Sequence, residues 1–255
     1  MCLIYIAHRI DPRYRLVVAA NRDEFHARET LPANWWEDAP GVLAGRDLRA
    51  GGTWMGVSRS GRFAALTNFR DPLTHRDDAH SRGFLVSNFL KSTMGAMTYL
   101  EDVADEAGRY NGFSLLVHDG DALCFYSNRD GVPSSVAAGV HGLSNHLLDT
   151  PWPKVEEGKL DMLTVLSQGE PSPARFLSLL DQRQAVDDAR LPDTGIGRER
   201  ERERSSRFIQ NARYGTRCST VITFSHEGEV RFRERSFDVA GEAHGDEQHM
   251  FSITA

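Results

Sequence analysis

Excision of Met1 would leave Cys2 carrying a thiol and a free α-amine on one terminal residue. That pair is a nucleophile with its own base. An α-amine titrates at roughly 7.7 to 8.0 and a cysteine at about 8.5, so the amine can take the thiol proton near neutrality without a distant histidine. Retention of Met1 would acylate the amine and leave no local base. Leu3 to Ala7 form a short apolar run that reads as a buried strand able to hold the terminus in place. The competing reading makes Cys2 simply the first core side chain of that strand.

Further polar groups follow apolar runs. Asn21-Arg22-Asp23-Glu24 comes directly after Leu16 to Ala20. Side chains at a strand exit can project into a cleft, where Asp orients an ammonium and Asn or Arg binds a carbonyl or carboxylate. Gly51-Gly52-Thr53-Trp54 combines backbone freedom with exposed N–H groups, and serves either as a turn or as a site wall. It has neither the GxxxxGK[ST] nor the GxGxxG order. Asn68 and Asn145 each end an apolar segment, where a neutral amide can stabilise an oxyanion or make an Asx turn.

Other chemistries find little support. The histidine pairs 75/80, 141/146 and 244/249 are five apart, which matches neither HExxH nor a zinc spacing. Cys2, Cys124 and Cys218 are too far apart for a CxxC site or a disulfide framework, which points to a reducing compartment. Cys124 and Cys218 read as strand packing. No CxxCH haem-attachment motif is present, although a lone histidine can still ligate haem. A net charge of −6, from 36 acidic and 30 basic residues, gives no general attraction to nucleic acid or an anionic membrane, while leaving room for a local basic pocket. No apolar stretch reaches the roughly 18 to 20 residues that span a bilayer, and the opening segment makes a poor export signal. Cytoplasmic residence without integral membrane association is therefore expected.

The elements that must position these groups are legible in outline. Residues 2–8, 14–20, 42–45, 53–58 and 62–68 read as strands, with Ser60-Gly61 turning between the last two. Helical patterns follow from Ser81 to Leu90 and from about Thr98 to Gly108. Strands return at 112–118 and 121–126 across Asp119-Gly120, a hairpin signal. Helices are expected over 156–168 and 172–182, the second opening on Ser172-Pro173. Two strands, 218–225 and 229–235, then close the chain. The Arg/Glu alternation over 198–204 reads as a solvated connector, and 241–255 as a polar tail. Strands, helices, strands, helices, strands suggests an α+β protein whose sheets are covered by paired helices in a single domain over 1–240.

Taken in order, Met1-Cys2, Asn21-Arg22-Asp23-Glu24, Gly51-Gly52-Thr53-Trp54, Thr67-Asn68-Phe69-Arg70, Tyr110-Asn111-Gly112-Phe113, Leu143-Ser144-Asn145, Asp149 to Lys154 and Tyr214-Gly215-Thr216-Arg217 resemble the NRDE family, also named for the transport and Golgi organisation protein of animals. The resemblance implies a four-layer αββα sandwich of N-terminal-nucleophile hydrolase type. It also links the chain to Golgi organisation, lipid metabolism and haem trafficking. A more distant resemblance is to the choloylglycine hydrolase and penicillin V acylase group, which starts at Cys and cleaves non-peptide amides. On that comparison Cys2 matches the nucleophile, Asp23 the aspartate near the α-amine and Asn145 the oxyanion donor. Arg217 or Arg207 matches a late arginine that organises the nucleophile. Asn21, Arg22, Trp54 and Asn68 join Arg207 as substrate-binding expectations. The order Asn21-Arg22-Asp23 reverses that group's Arg-Asn-x-Asp. The resemblance thus implies a small-molecule amide as substrate with no cofactor, or haem as a ligand in the alternative of a binding and trafficking protein.

Overall fold

The computed structural model describes residues 2–169 and 172–254. Thirteen strands among them form two antiparallel sheets. The first sheet has the order β10-β1-β2-β11-β12-β13, from Gly139–Leu143, Cys2–His8, Tyr14–Phe25, Tyr214–Ser225, Glu229–Phe237 and Ala243–Ser252. The second runs β3 to β9 in chain order: Thr30–Trp36, Ala39–Asp47, Met55–Ser58, Phe63–Asn68, Phe113–His118, Leu123–Ser127 and Ser134–Ser135. Five α-helices accompany them: α1 Gly83–Lys91, α2 Ala96–Asp105, α3 Pro153–Ser167, α4 Pro173–Leu180 and α5 Arg198–Glu203.

Strand alternation sorts the apolar residues into three cores. Ile4, Ile6, Leu16, Val18, Ile222 and Phe232 face Leu43, Met55, Val57, Phe63, Leu116 and Phe125 between the sheets. The intervening residues Leu3, Tyr5, Ala7, Val17, Ala19 and Val221 pack on α3 and α4. On the outer face of the second sheet, Ala64, Leu66, Leu115 and Val117 meet α1 and α2. Central strands are therefore apolar on both faces, and β1 is buried along its whole length. Each sheet thus packs on the other through one face and on a helix pair through the opposite face.

Several segments differ from the sequence expectation, among them β9 and β10, where no strand was expected. Strand β2 continues to Phe25, because β11 pairs with it as far as Tyr214, so Asn21 to Glu24 lie within a strand instead of at its exit. Strand β3, broken by register shifts and carrying Pro32, gave no alternating signal. The segment expected as a polar tail supplies β13, paired with β12 from Ser252 to Ala243; its half-exposed alternation is that of an edge strand. The Arg/Glu run is helix α5, and Glu201 within it is buried against Arg70, Nη1 to Oε2 2.5 Å. Among the described residues no helix is long and apolar enough to cross a membrane.

Candidate active site

At one end of the sandwich the two sheets part around a cleft of about 930 Å³. Cys2 pairs with Arg22, Arg22 with Cys218, and Cys218 with Ser236. Register partners share a face, so this row of side chains points from four adjacent strands toward the second sheet. All four line the cleft, whose wall also takes in Thr53, Trp54, Leu66 and Asn68. Gly52 lies so close to α1 that a Cβ there would stand 2.6 Å from the carbonyl carbon of Gly83. The glycine pair thus serves both a tight backbone approach and the cleft wall.

Cys2 is 8% exposed, and burial pushes its thiol up to about 11, opposed by the ammonium of the unprocessed chain, Arg22 and a backbone hydrogen bond from Asp23. Asp23 is buried as well, which raises its carboxyl above the ordinary range. The ammonium of the unprocessed chain, Lys154, a hydrogen bond from Thr216 Oγ1 to Oδ1 (2.7 Å) and Arg22 work the other way. Tyr214 Oη donates to the Asp23 carbonyl at 2.9 Å. Arg82 donates to Gly112 O at 2.9 Å, and Cys2 is among the charges acting on it. Glu234 accepts from Ala33 N at 2.7 Å and so ties β12 to β3 at the cleft wall; burial raises its carboxyl. Seven arginines line the cleft, with Arg28 paired to Asp47 and Arg46 to Asp38.

Cys2, Arg22, Asp23, Trp54, Asn68 and Arg217 are brought together here. Three of the expected residues lie elsewhere. Asn145 is fully buried, is absent from the cleft wall, and donates Nδ2 to the carbonyl of Asn68 at 2.9 Å. It holds the main chain behind Asn68, in a left-handed backbone with φ 56°. Asn21 points to the opposite face of β2, where Nδ2 bonds Leu180 O and Arg207 O and Oδ1 accepts from Ser219. Arg207 lies on that same helix-covered side, bonded to Leu179 O and paired with Asp161, so neither Asn21 nor Arg207 reaches the cleft.

Arg217 reaches the cleft by another route. It is the extra residue of a β-bulge between Thr216, opposite Asp23, and Cys218, opposite Arg22. Its Nη1 bonds the carbonyls of Phe25, His26 and Arg28, so its hydrogen bonds hold the turn beyond β2 and not Cys2. Sequence reasoning assigned no role to Lys154, Tyr214, Thr216, Arg82 or Glu234. Lys154, Tyr214 and Thr216 sit inside the quoted motifs, but nothing local marks the side chains that turn toward Asp23. Cys218, read as strand packing, lines the cleft as well. Among the described residues no group of three or more His, Cys, Asp or Glu is placed to hold a metal ion.

The fold and site define a two-sheet, helix-flanked protein with a cysteine at the start of its first strand and an end-on cleft around it. The chain belongs to the Transport and Golgi organisation 2 family, whose model matches residues 1–239. It is 41% identical to the Transport and Golgi organization protein 2 homolog of Bos taurus, over 92% of this chain and 93% of that one. The Drosophila melanogaster Transport and Golgi organization protein 2 is 29% identical, over 92% of each. Among solved structures, a Caenorhabditis elegans N-acylethanolamine-hydrolyzing acid amidase ortholog aligns at TM-score 0.45 and 10% identity, covering 87% of this chain and 92% of that one. The C2A mutant of the conjugated bile acid hydrolase from Clostridium perfringens aligns at 0.42 and 10%, covering 100% and 97%.

Proposed function

We propose that this protein is an N-terminal cysteine hydrolase of a non-peptide C–N amide bond, active once Met1 is removed, on an αββα frame of N-terminal-nucleophile type. The observation that supports it most is the placement of Cys2, the first residue of β1, on the wall of a large cleft with a buried carboxylate beside it. The α-amine of processed Cys2 takes the Sγ proton, and the thiolate attacks the amide carbon. Asn68, with a backbone N–H, donates to the oxyanion, an assignment moved from Asn145 because Asn68, unlike Asn145, lines the cleft. The C–N bond then breaks, the ammonium protonates the leaving nitrogen, and a thioester remains. Water attacks that thioester with the amine as base, releasing the acid and restoring the thiol. Asp23 holds the ammonium, Arg22 and Trp54 wall the substrate, and Arg217 fixes the turn at the cleft edge.

The test is purified protein whose mature N-terminus has been established by mass, offered a broad amide panel and an amide-mimicking electrophile. The processed protein is expected to capture the electrophile at Cys2 and to lose hydrolysis on Cys2→Ala. Processed protein that does neither overturns the proposal. For the haem alternative the cleft offers His75, His80 and His244 as candidate ligands, but a haem slot needs apolar walls and these are crowded with guanidinium and carboxyl groups. A haem titration is expected to show no saturable binding beyond that of an unrelated protein.

A further inference from the structure

The two side chains that act on the amide carbonyl in the proposed reaction stand on different sheets, Cys2 on β1 and Asn68 at the end of β6. Asn68 is loosely held by its own neighbours. Among the described residues its side-chain amide makes no hydrogen bond, and β5 pairs with β6 only as far as Ala65, so on that side Asn68 has no strand beside it. The direction of the amide is therefore set by the main chain at the strand end.

That main chain is clasped by Asn145. Strand β10 runs beside β1, with Leu143 opposite Ile4, and two residues further on the chain has crossed to the second sheet. There Asn145 Nδ2 donates to the carbonyl of Asn68 at 2.9 Å, while the Asn145 carbonyl accepts from the N–H of Arg70 at 2.7 Å. The crossing is secured again at the next residue: Ser114 Oγ donates to the His146 carbonyl at 2.7 Å, and the His146 ring packs on Phe69 with centroids 4.6 Å apart. Asn145 thus ties the neighbour of the Cys2 strand to the strand end that carries Asn68.

For a mere connector, asparagine is a poor choice here. Its φ of 56° is a left-handed conformation that glycine adopts with less strain, and its Oδ1 is buried with no partner among the described residues. Glycine would remove both penalties. What glycine would lose is the bond from Nδ2 to Asn68.

We propose that Asn145 is a positioning residue whose amide fixes Asn68 at the separation from Cys2 that oxyanion stabilisation requires. The proposal rests on the hydrolase reading. Misplacing such a group by about 1 Å costs on the order of 100-fold in rate, and the bond to the Asn68 carbonyl acts where that displacement would begin.

The experiment compares two reactions of Cys2 in processed protein. Acylation by p-nitrophenyl acetate, read as the Cys2-dependent burst of p-nitrophenolate, passes through a tetrahedral oxyanion; alkylation by iodoacetamide, read by mass, does not. Asn145→Gly takes the left-handed backbone freely, so its fold is expected to persist. It is expected to slow the acylation about 10-fold to 100-fold while leaving the alkylation within about twofold of wild type. Asn68→Ala is expected to slow acylation alone in the same way, and the double variant no further, because the two residues act as a unit. Acylation of either single variant at the wild-type rate, alkylation slowed as much as acylation, or independent effects that add in the double variant would each overturn the proposal. Processed wild type that is alkylated at Cys2 but gives no Cys2-dependent burst sinks the hydrolase reading, and the role of Asn145 with it.

Discussion

Gly158→Ala tests how the helical layer grips the strand that carries Cys2. Alanine in place of glycine within an exposed helix gains about 1 kcal/mol. Here Gly158 is on the buried side of α3, and an added Cβ would stand 2.1 Å from both Cζ and Oη of Tyr5 and 2.4 Å from Cε1. Tyr5 is fully buried and its hydroxyl is 2.5 Å from the Lys154 carbonyl, so the ring has nowhere to go without leaving that bond. Overpacking of this kind costs about 1 to 3 kcal/mol. Orphaning a buried hydrogen-bonding pair adds about 1 to 3. After the helix gain is subtracted, a net loss of about 1 to 5 kcal/mol remains, opposite in sign to what helix propensity alone gives. Urea unfolding followed by circular dichroism measures it. The same substitution in a Tyr5→Leu background is expected to cost much less, because the two sites are in contact and the obstacle is gone. A Gly158→Ala protein as stable as wild type, or more so, would refute the packing argument.

Two further outcomes concern buried charge. His118 lies in the core beside His8 and Arg15, and burial lowers it to about 3. Its folded value is below the unfolded one, so its contribution is fully present above about pH 6.5 and is lost as pH falls toward 3. At pH 5 the loss is about 2 kcal/mol, and His118→Gln is expected to flatten the decline in unfolding free energy between pH 7 and 5 by that amount; an unchanged decline contradicts it. The Arg70–Glu201 pair has side chains only 5% and 2% exposed. Removing one partner, as in Glu201→Ala or Arg70→Met, is expected to cost about 3 to 5 kcal/mol in chemical denaturation, and Arg70→Met with Glu201→Leu distinctly less than the sum. Strict additivity of the two would show that the charges do not depend on each other.

What the sequence revealed and what it hid follow from the range over which each signal acts. Apolar alternation and Gly-containing turns are local, and they locate β1, β5 to β8, β11 and β12. The edge strands β3 and β13 were obscured because only one of their sides meets the core, so polar residues and a proline interrupt the pattern. The same limit applied to the site. Cys2, Arg22 and Asp23 are marked by residue type. That Asn21 turns away from Arg22 depends on strand parity, which no isolated tetrapeptide discloses once β2 is taken to end at Ala20. Asn68 and Asn145 were indistinguishable in sequence; only folding shows one in the cleft and the other holding its carbonyl. The Arg/Glu run looked solvated because a burial partner 131 positions away, Arg70, leaves no trace in local composition.

In the chain that carries Met1, burial pushes the Cys2 thiol up to about 11, so the proposed reaction needs a base placed against that thiol. If the thiol keeps that value in the processed chain and an α-amine titrates at about 8, moving the Sγ proton onto the amine is uphill by about 3 units, or roughly 4 kcal/mol. That is a small part of a catalysed barrier, provided the product ion pair forms in contact. On the proposed mechanism the amine, attached to Cys2 itself, meets that condition, and the buried carboxylate of Asp23 stabilises the ammonium as it forms. With Met1 retained, the nitrogen of Cys2 is an amide and cannot take the proton, so the same burial that protects the thiol leaves it inert. Alkylation by iodoacetamide near pH 7.5 should therefore be fast at Cys2 only in the processed chain, and slow at buried Cys124 and Cys218 in either form. Equal Cys2 rates in chains with and without Met1 would remove the amine from the mechanism, whatever the cleft around it binds.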